Sequence, residues 1–202
     1  NVANVAPVVV AGPNQLTTEG AVTTITGSFN DKGTLDTHTA TINWGDTTTS
    51  AGAVTETPTG PPGNVAGLTG TVTANHVYAD DGLFTVTITI ADDNGGTSTA
   101  TLSVTITNVA PVALVGAAFS TNEGDVVTIP LATFNDKGTL DSHVSSIAWG
   151  DGTTSAGAVI STPTGPPGNV AGVDGTITAT HVYAKEGVYG VVLSVTDDEL
   201  AT

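Results

Sequence analysis

The sequence is notable first for what it lacks. It contains no cysteine and no methionine, and aromatic residues make up only 4% of its 202 residues. Without cysteine there is no disulfide and no thiolate zinc site, so an apolar core alone must hold each domain together. Domains of about 100 residues can fold in this way. The absence of both sulfur-containing residues suits an oxidising, extracellular environment.

Basic residues are also scarce. Three lysines, Lys32, Lys137 and Lys185, stand against 19 acidic residues, arginine is absent, and the formal net charge is −16. Nucleic acids and anionic membranes bind proteins through Lys and Arg, so the charge argues against both as partners. It is compatible with divalent cations, and equally with acids that only keep a surface protein soluble.

No run is long and apolar enough to predict a membrane-spanning helix. The chain shows no signal-peptide pattern and begins at Asn1 without Met. We therefore expect it to be a piece of a longer, processed or truncated protein.

The strongest signal in the sequence is an internal repeat. The segment FNDKGTLDTH at Phe29 returns as FNDKGTLDSH at Phe134, and TPTGPPGNVAG at Thr57 returns unchanged at Thr162, both with an offset of 105 residues. NVAPVVV at Asn4 returns as NVAPVAL with an offset of 104. The second copy therefore has one extra residue between Glu123 and Asn135, as a β-bulge or a longer turn would require.

Within each copy, apolar residues alternate with threonine. The runs 84–90 and 100–106 each place one apolar face toward a core and one threonine face toward water. Seven such runs, separated by Gly, Pro, Asp and Asn, predict an all-β fold of two tandem immunoglobulin-like Greek-key β-sandwiches. The Pro-rich segments are expected to be long loops. The strands predicted for the first copy are 7–12, 21–29, 38–44, 48–54, 67–78, 83–91 and 98–107.

The repeat places the two domains at residues 1–107 and 108–202. The junction is short and contains Pro111, which limits bending. By the 105-residue offset, the strand at 98–107 has no counterpart in the second copy. Two explanations stay open: the chain is a fragment of a longer array, or another chain supplies the strand.

The motifs WGDGTTS at Trp149 and HVYAKEGVYGVVLSVTDDE at His181 resemble the PKD domain (polycystic kidney disease repeat), and WGDTTTS and HVYADDGLFTVTITIADDNGG in the first copy are similar. The first copy departs from the family pattern at Thr47, where the family has a turn glycine. The resemblance implies an immunoglobulin-like sandwich from the extracellular part of an adhesin, a surface-layer protein or a secreted hydrolase.

Acidic residues follow several strand ends and precede tight turns. Calcium binds six to eight oxygens and tolerates irregular geometry, so calcium is the candidate cofactor. The other interpretation, that these acids are solvated turn residues, stays open. The candidate ligands are Glu19, Asp31, Asp36, Asp93, Glu123, Asp136, Asp141 and Asp198.

Other motifs indicate structure rather than chemistry. Asp46 and Asp151 in the Trp-Gly-Asp turns are expected to accept hydrogen bonds from their own turns. His76 and His181 are expected to be buried and bonded to those aspartates. We predict no catalytic residues and no enzymatic activity.

The sequence favours a structural or adhesive repeat module of a secreted or cell-surface protein, in a rigid stalk or filament stiffened by calcium. Its partners would be neighbouring like modules or like chains. The alternative is an accessory polysaccharide- or protein-binding module of a secreted hydrolase. An exposed aromatic or hydrophobic patch would favour that alternative.

Overall fold

The computed structural model describes residues 2–129 and 132–200. These residues form 17 β-strands and no helix, and so include no helix that could cross a membrane. The predicted all-β fold class is therefore confirmed. The chain divides into two compact units. Unit 1 runs through Thr17 and from Ala21 to Thr107, and unit 2 consists of Thr18–Gly20 and the chain from Asn108 onward.

Unit 1 is a β-sandwich whose eight strands are hydrogen-bonded in the order β1-β3-β6-β5-β4-β7-β8-β2. The strands are β1 (Val8–Ala11), β2 (Gln15–Thr18), β3 (Val22–Asp31), β4 (His38–Asn43), β5 (Thr49–Pro58), β6 (Leu68–Val77), β7 (Gly82–Asp92) and β8 (Thr97–Thr107).

Strand β5 belongs to both layers of this sandwich. Its first residues, Thr49 to Gly52, pair with β4, and the remainder, from Ala53 to Pro58, pairs with β6. At the crossing, a Cβ on Gly52 would lie 2.5 Å from Val72 and 2.9 Å from Ala40. Glycine is therefore required where the strand passes between the layers.

The core of unit 1 follows the predicted period of two. Along β3, every second residue is buried, and the residues between them face solvent. Ile25 and Phe29 of β3 pack with Val72 of β6 in the same core as Ile42 of β4 and Ile88 of β7. This alternation is what an apolar/threonine pattern produces when one face of each sheet is covered.

All seven strands predicted for the first copy have a counterpart in unit 1. One strand, β2, was missed because Gln15–Thr18 is only four residues long and none of them is fully buried. Strand β5 extends to Pro58 instead of ending at residue 54. The Pro-rich loop that follows is held by Asn64, whose Oδ1 accepts hydrogen bonds from the amides of Ala66 and Gly67, both at 2.9 Å.

Unit 2 repeats this plan in three separate sheets, with the strand orders β10-β16, β14-β15-β11-β9 and β13-β12-β17. Its core contains Phe134, Ile147 and Trp149. The strands are β9 (Val112–Leu114), β10 (Val126–Thr128), β11 (Ala132–Asp136), β12 (Val144–Ala148), β13 (Thr154–Ala156), β14 (Ala158–Pro163), β15 (Val173–Thr178), β16 (Thr180–Val182) and β17 (Val192–Thr196).

The extra residue of the second copy can be placed by strand pairing. Val127 pairs with His181 as Thr23 pairs with His76, whereas Ala132 pairs with Ile177 as Gly27 pairs with Val72. The insertion therefore falls between Ile129 and Ala132. The expected bulge or turn itself lies at residues 130 and 131, outside the described residues.

Candidate functional site

Three aspartates of unit 1 come together at one end of the sandwich. Asp31 ends β3 and Asp92 ends β7, while Asp36 lies in the loop that follows β3. Each carries a carboxylate oxygen within 4.8 Å of one on each of the other two. Asp31 and Asp92 are buried because they continue the core-facing phase of their strands. Strand geometry therefore places two carboxylates at the edge of the core.

A glycine lets the third carboxylate approach. The amide of Gly33 donates a hydrogen bond to Asp31 Oδ1 at 3.1 Å, which folds the loop back toward the end of the strand. A Cβ at position 33 would lie 1.9 Å from Asp36 Oδ2. The Asp36 carboxylate thus occupies the space that any other side chain at position 33 would need.

The carboxylates affect one another's protonation. Burial raises the pKa of Asp36, and repulsion from Asp31, Asp93 and Asp92 raises it further. The pKa of Asp92 is lowered, because the Asn4 side-chain amide donates to its Oδ2 at 2.9 Å and backbone amides donate to its Oδ1. Hydrogen bonds therefore favour the ionised form of Asp92, whereas repulsion disfavours the ionised form of Asp36. A bound cation would reduce the repulsion between these carboxylates.

Unit 2 has a corresponding group made of Glu19, Asp136 and Asp141, again with carboxylate oxygens within 4.8 Å of one another. The backbone amide of Val109 donates to Glu19 Oε1 at 2.7 Å. Glu19 and Asp136 are each 1% exposed.

The counterpart of Asp92 in unit 2 is Asp197, which accepts a hydrogen bond from Asn108 Nδ2 at 2.8 Å. The other side-chain atom of that amide, Asn108 Oδ1, is buried and has no hydrogen-bond partner in the described part of the chain. The oxygen Asn108 Oδ1 therefore remains available as an acceptor beside the Asp197 carboxylate, to which Asn108 donates its hydrogen bond.

The candidate ligands fall into two groups. Asp31, Asp36, Asp136, Asp141 and Glu19 lie in the clusters. Three others are placed differently. Asp93 Oδ1 accepts from the Thr37 amide at 3.2 Å, and Glu123 Oε2 accepts from the Glu186 amide at 3.1 Å. Asp198 shares a second acidic group with Asp141 and Glu199, and its Oδ1 also accepts from the Ser142 amide at 2.8 Å.

Asp92 is the cluster residue that the sequence-based choice missed, since Asp93 was taken in its place. The strand period contained the necessary signal. Asp92 lies in phase with Ile88 and Ile90, which are fully buried, whereas Asp93 follows the end of β7. A carboxylate in core phase at a strand end points toward the neighbouring strand ends.

A buried histidine contacts the cluster in each unit. His38 Nε2 lies 2.8 Å from Asp31 Oδ2, and His143 Nε2 lies 2.7 Å from Asp136 Oδ2. The other ring nitrogen of His38 lies 2.7 Å from Glu56 Oε1. Each histidine therefore occupies one oxygen of the cluster aspartate, a contact that was not predicted from the sequence.

The second pair of histidines closes the Trp-Gly-Asp turns. His76 Nε2 lies 2.6 Å from Asp46 Oδ2, and the His76 ring stacks on Trp44 with centroids 4.8 Å apart. Tyr78 donates a hydrogen bond to the Trp44 carbonyl at 3.0 Å, and burial raises the pKa of Tyr78. His181, Asp151, Trp149 and Tyr183 repeat every one of these contacts in unit 2. The expected histidine–aspartate bonds are present, with side chains that are half-buried rather than fully buried.

The chain was also compared with known proteins. No protein-family model matches it, and no curated protein sequence matches it.

Proposed function

We propose that the chain is a structural repeat segment of an extracellular, surface-attached or filamentous protein, built of PKD-type immunoglobulin-like modules that calcium stiffens. Its role is mechanical and includes no catalytic step. The modules act as a spacer that carries a functional tip or builds a fibre with neighbouring like modules. The acidic, cysteine-free composition supports an extracellular location.

One observation carries this proposal. The polar residues that recur in both copies are used to hold each module together. Asp46 and Asp151 each accept hydrogen bonds from the amide and hydroxyl of the threonine two residues further along the turn, as well as contacting a histidine. A repeated building block requires the same internal contacts in each copy, and that is how these side chains are used.

The acidic clusters support the calcium part of the proposal. Asp31, Asp36 and Asp92 in unit 1, and Glu19, Asp136 and Asp141 in unit 2, supply the hard oxygen ligands that calcium prefers. Backbone carbonyls and water would complete the coordination. Extracellular calcium modules bind with Kd of roughly 10⁻⁴–10⁻³ M. At about tenfold excess calcium, each site would stabilise its module by about 1.4 kcal/mol.

Single-molecule pulling on the 202-residue chain tests the mechanical role. We expect separate unfolding events for the two units, with higher unfolding forces in calcium than in chelator. Asp36→Asn should remove the calcium effect from one event only. Asp93→Asn is the matched control, because Asp93 neighbours the cluster but lies outside the three-carboxylate group. Forces that calcium leaves unchanged in the wild-type chain would contradict the calcium part, and units that yield without measurable force would contradict the mechanical role.

A second candidate is a polysaccharide-binding module, favoured by a matching surface groove in each unit. In unit 1 the groove has a volume of 430 Å³ and is lined by exposed Val8 and Val10 and by threonines of β5 and β6. In unit 2 a groove of 700 Å³ is lined by Val112, Leu114 and the corresponding strands. Binding of a soluble neutral polysaccharide at two sites, one of which Val10→Lys removes while Val2→Lys leaves both, would support this candidate.

A further inference from the structure

Asn94 is the only asparagine of the sequence that is followed by glycine. The chain contains 12 asparagines, and each of the others precedes a residue that carries a side chain. Asparagine is among the chemically labile residues. A side chain on the following residue shields its backbone nitrogen, and glycine has none. The nitrogen of Gly95 is therefore unusually accessible to the side-chain amide of Asn94.

The pair lies at the tip of the turn between β7 and β8. Asn94 and Gly95 are both exposed. Gly95 has a left-handed φ of 93°, and no atom lies within 4 Å of the position that its Cβ would take. The Asn94 side chain makes no hydrogen bond to any residue that the structure describes. Neither neighbouring atoms nor a competing hydrogen bond hold the Asn94 amide away from the Gly95 nitrogen.

The Gly95 amide is also the least firmly held amide of this turn. It donates to the Asp92 carbonyl at 3.4 Å. The amides on either side are held more closely, since Asn94 N and Gly96 N donate to Asp92 Oδ1 at 2.9 and 2.7 Å. The nitrogen that could react is therefore the one with the weakest hydrogen bond.

We propose that Asn94 is a site of spontaneous deamidation. The Gly95 nitrogen bonds to Asn94 Cγ and gives up its proton to solvent, while the side-chain nitrogen takes up a proton and leaves as ammonia. The product is a five-membered cyclic imide. Water then adds its hydroxyl to one of the two imide carbonyls and returns a proton to the Gly95 nitrogen. Opening at Cγ gives aspartate, and opening at the main-chain carbonyl gives isoaspartate.

The turn has no room for the isoaspartate product. In that product the main chain runs through Cγ, which adds one carbon to the backbone between residues 94 and 95. Gly96 is held on both sides, because a Cβ there would collide with Asp92 Oδ2 and would lie 2.8 Å from Ala6 Cα. A displaced Gly96 must therefore lose its hydrogen bonds with Asp92, and the start of β8 should loosen. The aspartate product adds a charge but keeps the backbone unchanged.

Unit 2 keeps the turn without the reactive pair. The counterparts of Asn94 and Gly95 are Glu199 and Leu200. Leu200 has a left-handed φ of 68°, and its amide donates to the Asp197 carbonyl at 3.2 Å. Glu199 has no side-chain amide and cannot release ammonia. The proposed modification is therefore specific to unit 1, and it does not depend on calcium binding or on a mechanical role.

The test is timed incubation of the 202-residue chain at mildly alkaline pH, in water enriched in the heavy oxygen isotope, followed by peptide mass spectrometry. We expect Asn94 to exchange its side-chain nitrogen for one heavy oxygen, with both aspartate and isoaspartate resolved by electron-transfer fragmentation. The rate should rise with pH, because the attacking nitrogen must lose its proton. It should stay within about tenfold of the rate in a synthetic peptide of residues 91–97, a barrier difference below about 1.4 kcal/mol.

Hydrogen exchange of the aged chain reports the structural effect. Amides of residues 96–98 should exchange about tenfold faster or more in the isoaspartate form, as loss of local hydrogen bonds requires. Freshly prepared Asn94→Asp carries the charge with a normal backbone and should keep the slow exchange of the unmodified chain. Asn94→Gln would need a larger ring and should show no conversion.

Asn30 is the internal comparison, because it is exposed but precedes Asp31 and lies within the paired strand β3. It should remain unmodified. Conversion at Asn94 more than about tenfold slower than in the peptide would show that the turn protects the residue, and would overturn the proposal. Equal conversion at Asn30, or aspartate formed without isoaspartate, would overturn the intramolecular route. Unchanged exchange at residues 96–98 in the isoaspartate form would overturn the predicted opening of the turn.

Discussion

His38 Nδ1 lies 2.7 Å from Glu56 Oε1, and the corresponding nitrogen of His143 faces Ser161 Oγ at 3.4 Å. His38 therefore has a carboxylate at each ring nitrogen, since its Nε2 faces Asp31. Both nitrogens can donate only when the imidazole is protonated. Burial works against that charge, but the hydrogen bonds to Asp31 and Glu56 outweigh it and raise the pKa of His38.

The first prediction is a pH-dependent stability of unit 1. The pKa of His38 is higher in the folded state than in the unfolded state. The stability that His38 contributes is therefore fully present below its unfolded pKa of about 6.5. That stability is lost as pH rises through its folded pKa. Glu56→Ser should lower the free energy of unfolding by roughly 1–3 kcal/mol at about pH 5.5 and by less at about pH 9. Hydrogen exchange resolved by unit, at both pH values, measures the difference.

The matched control is Ser161→Ala in unit 2, which removes only a long contact and should not alter the pH dependence. If Glu56→Ser lowered the free energy of unfolding equally at both pH values, the imidazolium–carboxylate contact would make no contribution to the stability of unit 1.

The second prediction concerns Asp151. The Thr153 hydroxyl is the main cause that lowers the pKa of Asp151 to about 2. Burial opposes this shift, whereas the Thr153 amide and His181 add to it. Because the pKa of Asp151 is lower in the folded state, this residue stabilises the fold at pH values above its unfolded pKa of about 3.9. That stability is lost as pH falls toward the folded pKa of about 2. Thr153→Ala should raise the pKa of Asp151, measured by carboxyl carbon NMR.

Thr154→Ala is the control for this titration, because no hydrogen bond joins Thr154 to the Asp151 carboxylate in the described structure. A pKa that Thr153→Ala leaves at about 2 would show that the turn hydroxyl is not the cause.

The third prediction concerns the turn residue Thr47, which replaces the glycine found at the same position of the second copy, Gly152. Thr47 adopts a left-handed φ of 76°, and its counterpart Gly152 has φ of 91°. The turn is therefore kept, with a β-branched residue in a conformation that costs about 1–2 kcal/mol. Thr47→Gly should stabilise unit 1 by about 1 kcal/mol after the entropy of the more flexible unfolded chain is subtracted.

The reverse change, Gly152→Thr, should destabilise unit 2 by a similar amount, although a Cβ there would meet no atom within 4 Å. Chemical denaturation of both variants compares the two effects. Destabilisation by Thr47→Gly would show that the threonine side chain contributes more than its backbone strain costs.

Much of the fold could be predicted from the sequence, because alternation of apolar residues with threonine directly encodes which face of a strand is buried. The short β2 strand could not, since its identity depends on pairing with β8 rather than on its own pattern. Strand pairing between distant segments is a tertiary property that a local period does not contain.

The candidate site was predictable only in part. Asp31, Asp36, Asp136 and Asp141 could be chosen because they share a repeated loop, and Asp92 could have been chosen over Asp93 from its strand phase. The contact between His38 and Glu56 could not be predicted, because it joins β4 to the part of β5 that lies beyond Gly52 and pairs with β6 instead of β4.

The most direct test of the account is calorimetric titration of the chain with calcium. The account predicts saturable binding with Kd of roughly 10⁻⁴–10⁻³ M. Asp92→Asn should weaken the unit 1 site more than Asp93→Asn does, because Asp93 contributes a neighbouring charge but lies outside the three-carboxylate group. Asp141→Asn should weaken only the site in unit 2. No heat of binding in the wild-type chain at millimolar calcium, or equal losses from Asp92→Asn and Asp93→Asn, would contradict the assignment of the acidic clusters as calcium sites.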